Sequence, residues 1–295
     1  MRWIVASVIG FLASLLMPTA ASAWGQGGHY TVCEIGYLNL TPTAKAEVDR
    51  LVRLDGRFAS FTETCTFPDN PVSRASEHYA NYRRTDRRIG PGCPGGRPCV
   101  ISALEGDLAL LRSGSDAEKK TAILYVGHWF GDLHQPLHVS FADDRGGNSI
   151  AADGLCSGSF KASLHSVWDT CVIERKIFTG SASRLDRARA AAASLNAGIT
   201  DVERRNWNRS RPWQWAGESF KVTTASATGY CIRKSGACWY SATHQVFAAG
   251  DPQRTLVVDE AYLDRARPIV ADRLKRGGIR LADALNRAFD PAYRP

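Results

Sequence analysis

The sequence predicts a mainly α chain folded as a single multi-helical domain with irregular, disulfide-tied loops. Three observations carry this prediction. Apolar residues recur at helical spacing along most of the 295 residues. Strand signals are few and short. Eight cysteines suit covalent ties between loops. No Pro/Ser-rich linker, low-complexity tract or internal repeat divides the chain, so residues 24–295 read as one domain.

Ahead of that domain, residues 1–23 read as a secretory signal peptide. Arg2 gives a positive start, residues 3–17 form an apolar run of signal length, and Ala21-Ser22-Ala23 supplies a small-residue cleavage pattern. The run is shorter than the ~20 residues that span a bilayer, and nothing later is apolar enough to cross one. The expectation is a soluble monomer, secreted or periplasmic, with no membrane partner once the signal is removed. A net charge of +8 favours polyanions without identifying one.

Apolar periodicity places helices at residues 28–40, ended by Thr41-Pro42, and at 43–54, with Thr43 as N-cap. Two more span 102–111 and 117–133, the second closed by Pro136. A helix at 164–178 precedes a long surface helix, rich in Ala, Leu and Arg, at 184–203. Helices at 261–276 and 279–289 close the chain. Cys93 and Cys99 bracket a Gly/Pro-rich stretch and Cys231 and Cys238 a short turn, so each pair is predicted to bond. Cys33, Cys65, Cys156 and Cys171 leave three pairings open.

Two of these helices carry the candidate chemistry. His128-x3-Asp132-x5-His138 is followed by His165-x3-Asp169, and i,i+4 spacing turns both side chains to one helix face, as neighbouring metal ligands require. Imidazole and carboxylate both bind zinc, usually four ligands to a tetrahedral site. These groups exceed one site's needs, and His29, Asp69 and His78 lie upstream, so more than one ion is expected. Closely spaced cations are the means by which phosphoesterases hold both the attacking and the leaving oxygen. His134 and His244 read instead as hydrogen-bonded core residues.

Gly131-Asp132-Leu133-His134-Gln135-Pro136-Leu137-His138 resembles the G-D-x-H/T-Q-P-L-H core of the zinc-dependent, single-strand-specific nucleases of the S1/P1 type. His165-Ser166-Val167-Trp168-Asp169 matches that family's H-S-x-W-D segment, and Trp24-Gly25 through His29 its W-G-x-x-G-H start. Gly146-Gly147-Asn148 matches its G-G-N loop, and Gly278-Ile279-Arg280-Leu281-Ala282 its closing helix. The resemblance implies a phospholipase C/nuclease-like fold and three zinc ions. By that analogy Asp69, His78, His128 and Asp132 hold the first ion, and His138, His165 and Asp169 the second. The free amino group and carbonyl oxygen of Trp24, with His29 and Asp132, hold the third. Asp132 would bridge two ions and position the attacking hydroxide, with no separate protein acid or base.

The implied activity is endonucleolytic hydrolysis of single-stranded DNA and RNA to 5′-phosphorylated products, with 3′-nucleotides as further substrates. Phe67, Tyr79, Tyr82 and Trp168 are candidates for stacking an unpaired base. Asn148 either orients substrate or shapes the Gly-Gly loop. The family reads W-A-D-x-x-R near its first aspartate. Here Val72 occupies the arginine position, Arg74 is the candidate replacement beside the scissile phosphate, and Asp55 is the alternative to Asp69. Two other functions compete. A three-zinc phospholipase C resembles the same scaffold, but its pattern ends in His-x3-Glu where this chain has Asp169. A purely structural zinc site would be closed by four protein ligands, whereas His138, His165 and Asp169 leave a position open.

Overall fold

Ser115 opens the helix on which the fold is built. Its hydroxyl accepts from the Glu118 amide while the Glu118 carboxylate accepts from the Ser115 amide, a reciprocal cap. From Ala122 to His134 nearly every residue of that helix, Asp116–His134, is buried, so this half of the helix is enclosed on all sides even though it carries His128, Asp132 and His134. The computed structural model describes residues 24–157 and 162–295; the expected signal at 1–23 lies outside the described residues.

In chain order the helices are α1 (Gln26–Leu38), α2 (Pro42–Asp55), α3 (Phe61–Thr64), α4 (Val100–Ser113) and α5 (Asp116–His134). They continue with α6 (Leu164–Ser166), α7 (Arg184–Ala197), α8 (Asp201–Trp207), α9 (Pro212–Thr223) and α10 (Glu260–Phe289). Helices α1, α2, α4, α9 and α10 all pack on α5. Two parallel strand pairs brace the loops: β1 (Ala80–Tyr82) on β2 (Val139–Phe141), and β3 (Ile150–Gly154) on β6 (Arg254–Val258). A hairpin joins β4 (Ile232–Lys234) to β5 (Ala237–Trp239). Its two-residue turn, Ser235-Gly236, has positive φ at both positions (47° and 76°), as such hairpins require. The fold is mainly α with small sheets, as predicted.

Several local expectations need correction. Thr41, not Thr43, caps α2, because Pro42 at the first helical position already has the required φ. The helix expected at 184–203 is two helices. Gly198 ends α7, and Thr200 with Glu203 forms a capping box that restarts the chain as α8. The segment expected as one helix at 164–178 begins as α6 and continues through π-helical turns at Val167–Cys171 and Ile173–Ile177. Helix α9, opened by Pro212, was not anticipated.

The two helices expected at the C-terminus are one. Gly277 and Gly278 do not break α10; they let it cross α1 closely. A Cβ on Gly278 would lie 2.4 Å from the Ile35 side chain, and one on Gly36 would lie 2.7 Å from Leu281. All eight cysteines are bonded: Cys93–Cys99 and Cys231–Cys238 as predicted, with the open set resolved to Cys33–Cys65 and Cys156–Cys171. His244 is exposed rather than core, lying in the turn after β5.

Helices α5, α9 and α10 are locked by a buried polar knot. Arg273 and Arg280 of α10 are almost fully buried and both donate to Glu218 of α9 at 2.7–2.9 Å. Arg280 also meets Nε2 of His134, whose Nδ1 bonds the Phe130 carbonyl. Burial, with Arg273 and Arg280 alongside, keeps His134 well below its ordinary value and therefore neutral. That confirms its structural role. Burial opposes the charge on Glu218, but the hydrogen bonds from Arg280 and Arg273 outweigh it and hold the carboxyl at about 2.

A depressed carboxylate stabilises the fold fully above its unfolded value and loses that contribution as pH falls through its folded value. Glu218→Gln should therefore destabilise by roughly 2 kcal/mol near neutrality, less than a fully buried pair because Glu218 is partly solvated. Urea melts at a series of pH values should show the gap between wild type and variant closing from about pH 4.3 down to pH 2. A gap unchanged across that window would contradict the assignment.

Candidate metal centre

His128 and Asp132 lie one turn apart on the buried end of α5, and α1 brings His29 against them, its ring stacked on His128 at 3.8 Å. Close approach is possible because Gly131 has no side chain: a Cβ there would lie 2.5 Å from Nδ1 of His29. The loop after α3 supplies Asp69, and a short 3-10 turn, Ala75–His78, supplies His78. His138 follows Pro136 at the entry to β2, and α6 with its π continuation contributes His165 and Asp169.

Three groups of potential ligands result: His29, His128 and Asp132; Asp69, His78 and His128; and His138, His165 and Asp169. All eight side chains expected as ligands are thus brought together. Asp55, the alternative to Asp69, pairs instead with Arg57 at the C-terminal end of α2. Trp24 is buried beside this centre, and its neighbour Gly25 donates its amide to the Asp169 carbonyl at 2.8 Å.

The orientation of four of the five imidazoles, all but His29, is fixed by a backbone carbonyl. His128 Nδ1 faces Cys65 O at 2.8 Å, His138 Nδ1 faces His78 O at 2.5 Å, His165 Nδ1 faces Gly146 O at 2.7 Å, and His78 Nε2 faces Ser73 O at 2.9 Å. A carbonyl only accepts, so each of those nitrogens carries the proton and the other is turned inward. This is the arrangement that orients metal-ligating histidines. The Cys33–Cys65 disulfide helps place the carbonyl that holds His128, and Gly127 leaves room for it: a Cβ there would lie 2.4 Å from the Cys65 sulfur.

The inward separations test the fit to a cation. Ligands ~2.0–2.2 Å from a tetrahedral zinc stand ~3.3–3.5 Å from one another. His128 Nε2 and His78 Nδ1 lie 3.2 and 3.3 Å from one Asp132 oxygen, while His29 Nε2 lies 3.5 Å from the other. His78 Nδ1 is 3.5 Å from Asp69, and His165 Nε2 is 3.2 Å from Asp169. His138 Nε2 and His165 Nε2 face each other at 3.2 Å. Both ring nitrogens of His29 are buried without a hydrogen-bond partner.

Electrostatics point the same way. Burial, with His138 beside it, takes His165 down to about 3, and burial also lowers His138. Both rings are neutral, so two bare nitrogens confront each other, an unfavourable contact unless a cation sits between them. Burial pushes Asp69 and Asp169 up, Asp169 far above the carboxylate range despite its hydrogen bond from Gln135. Burial also opposes charge on Asp132, but His128 and His138 hold it well below. Burial disfavours a proton on His78, yet the attraction of Asp132 lifts it to about 9. A metal ion taking that place would displace the proton. The residues therefore fit divalent metal in each group.

A cleft of ≈ 500 Å³ opens onto the centre, lined by His78, His138 and His165 and by Tyr79, Arg97 and Arg145 among others. Of the aromatic residues considered for stacking, Tyr79 alone faces it, 41% exposed; Tyr82 and Trp168 are buried, and Phe67 packs on Phe58 and Tyr125. Asn148 lines the cleft and also braces its loop, donating to Arg145 O and accepting from Ser163. Arg74 turns away from the cleft to Asp107 and Glu77 and lies over Tyr125 and Trp129. Gln135, which binds Asp169 and accepts from the Leu137 amide, has a supporting role that was not assigned from sequence, although it lies between Asp132 and His138 in the same motif.

Comparison with known proteins adds an independent line. A family model described as S1/P1 Nuclease matches residues 24–290. Endonuclease 4 of Arabidopsis thaliana is 31% identical over 300 residues, covering 91% of this chain and 90% of its own length. Endonuclease 2 of the same plant is 30% identical over 291 residues, with 90% of each chain covered. Nuclease S1 of Aspergillus oryzae is 23% identical over 289 residues, covering 92% of this chain and 93% of its own.

Because Asp132 faces two of the ligand groups, Asp132→Asn should empty more than one of them, whereas Asp169→Asn should empty only its own. Elemental analysis of bound metal per chain measures this, and equal losses would contradict a shared Asp132. Gln135→Leu should weaken metal binding at the Asp169 group by roughly 10–100-fold, read by competition with a chelating dye.

Proposed function

Since the chain belongs to the S1/P1 nuclease family, we propose that it is a three-zinc endonuclease hydrolysing single-stranded DNA and RNA to 5′-phosphorylated products and dephosphorylating 3′-nucleotides. The observation that carries this reading is the pair of neutral imidazoles, His138 and His165, with bare nitrogens 3.2 Å apart beside Asp169 at the floor of an open cleft. Among the described residues only three protein ligands converge there, which leaves a position for substrate or water and favours catalysis over a closed structural site. Bound zinc would supply a nucleophile near neutral pH and neutralise charge building on the phosphoryl and leaving oxygens.

The chain's own groups do the rest. Asp132 presents one oxygen toward His29 and the other toward His78 and His128, so a single carboxylate ties two ligand groups in register. The Gly25 amide on Asp169 O docks the Trp24 segment, which supports a role for a freed Trp24 amine and carbonyl as ligands after cleavage at Ala23. Tyr79 offers a stacking face at the cleft; an unpaired base can reach such a face and a base within a duplex cannot. Four disulfides with no free cysteine suit an oxidising compartment. Among the described residues no helix is long and apolar enough to cross a membrane. Both accord with a secreted or periplasmic enzyme.

Release of acid-soluble nucleotides from single-stranded DNA and RNA, with phosphatidylcholine hydrolysis in parallel, tests the reading. Activity should require zinc, vanish with chelator and return on re-addition; cleavage of the lipid alone would refute the assignment. Tyr79→Ala should lower kcat/KM on single strands roughly tenfold or more, since stacking a base is worth ~1–3 kcal/mol. An extra residue left ahead of Trp24 should reduce bound zinc and turnover, and full activity from that protein would remove the terminus from the ligand set.

A further inference from the structure

Among the described residues, the two arginines that line the cleft, Arg97 and Arg145, have no carboxylate partner, in contrast to Arg74 and Arg84. Arg74 pairs with Asp107 and Glu77, and Arg84 is buried between Asp143 and Asp144. Arg97 and Arg145 are exposed in the cleft wall and make no side-chain hydrogen bond or ion pair among the described residues.

Each is held by a local device. Arg97 sits in the loop closed by Cys93–Cys99, between Gly96 and Pro98. Arg145 adopts a left-handed backbone, φ 53°, disfavoured for a residue with a Cβ. The turn is tied by Arg145 N to Ala142 O, Gly146 N to Phe141 O and Asn148 Nδ2 to Arg145 O. The next residue, Gly146, offers the carbonyl that orients His165. The turn that sets a metal-facing imidazole thus also presents a guanidinium to the cleft.

We propose that Arg97 and Arg145 form a flanking-phosphate subsite that grips the polynucleotide backbone beside the scissile phosphate, so that the enzyme favours polymers over mononucleotides. This rests on the nuclease reading above. Guanidinium is suited to phosphate, which it can meet with two parallel hydrogen bonds. Two unpaired cations would repel the quaternary ammonium of a choline headgroup, so the wall is complementary to a polyanion rather than to that lipid. Backbone contacts of this kind position a strand without reading its sequence. The scissile phosphate at the metal centre does not need them, and a 3′-mononucleotide has no neighbouring phosphate to offer.

The test compares zinc-loaded wild type, Arg97→Ala, Arg145→Asn, Arg145→Lys and the remote control Arg205→Ala on a single-stranded DNA oligonucleotide and on a 3′-mononucleotide over a range of salt. Asn tolerates the left-handed backbone, so Arg145→Asn removes charge without straining the turn. Neutralising either arginine should lower kcat/KM on the oligonucleotide severalfold and flatten its logarithmic salt slope by about 0.7 for each phosphate left unneutralised. Turnover of the mononucleotide should hardly change. Arg145→Lys and Arg205→Ala should keep the wild-type slope. Equal losses on both substrates, or an unchanged slope, would overturn the subsite while leaving the nuclease reading intact. Wild type inactive on both substrates would instead overturn the nuclease reading, and the subsite with it.

Discussion

Everything in this molecule is arranged around the cost of keeping bare imidazole nitrogens and carboxylates together out of water. His138 and His165 are neutral, each with one nitrogen committed to a carbonyl, and their free nitrogens meet at 3.2 Å. Such a contact gains nothing by itself, and burial raises the carboxylate beside it. It would become favourable with a cation at the common centre, and part of the folding free energy of this region would then be metal-binding free energy.

The surrounding structure can be read as the means of holding that arrangement. A disulfide helps fix the Cys65 carbonyl that orients His128, while the absence of side chains at Gly127 and Gly131 admits the disulfide and His29. The Gly146 carbonyl depends on a turn whose Asp144 accepts from the Gly147 amide and pairs with buried Arg84. Behind the centre, Glu218, Arg273, Arg280 and His134 join α9, α10 and α5 so that the α5 ligands have a fixed support. Precision in ligand position comes from these supports more than from the ligands.

Rigidity at the floor contrasts with the chemistry of the rim. The rim displays Tyr79, an apolar surface and two unneutralised guanidiniums, held by a disulfide loop and a tight turn. An aromatic face with basic neighbours is the pattern by which proteins hold single strands with little regard to sequence. Metal ligands would thus set the reaction, and the cleft wall the class of molecule that reaches it.

The sequence by itself determined the helical class, two of the four disulfides and which side chains gather as candidate ligands. Its strongest signals are local: i,i+4 spacing in His128/Asp132 and His165/Asp169, and short Cys-to-Cys loops whose closure needs no knowledge of the fold. It misjudged Gly277-Gly278 because a glycine pair looks alike whether it breaks a helix or lets two helices touch. It missed the break at Gly198–Thr200, although the Thr200/Glu203 box was legible. Only the tertiary structure decided which carbonyls orient His78, His128, His138 and His165, that Cys33 pairs with Cys65, that Arg74 turns to Asp107, and that Arg97 and Arg145 share a cleft. Those relations join residues far apart in the chain. They are set by the packing of many side chains at once, which no local spacing encodes.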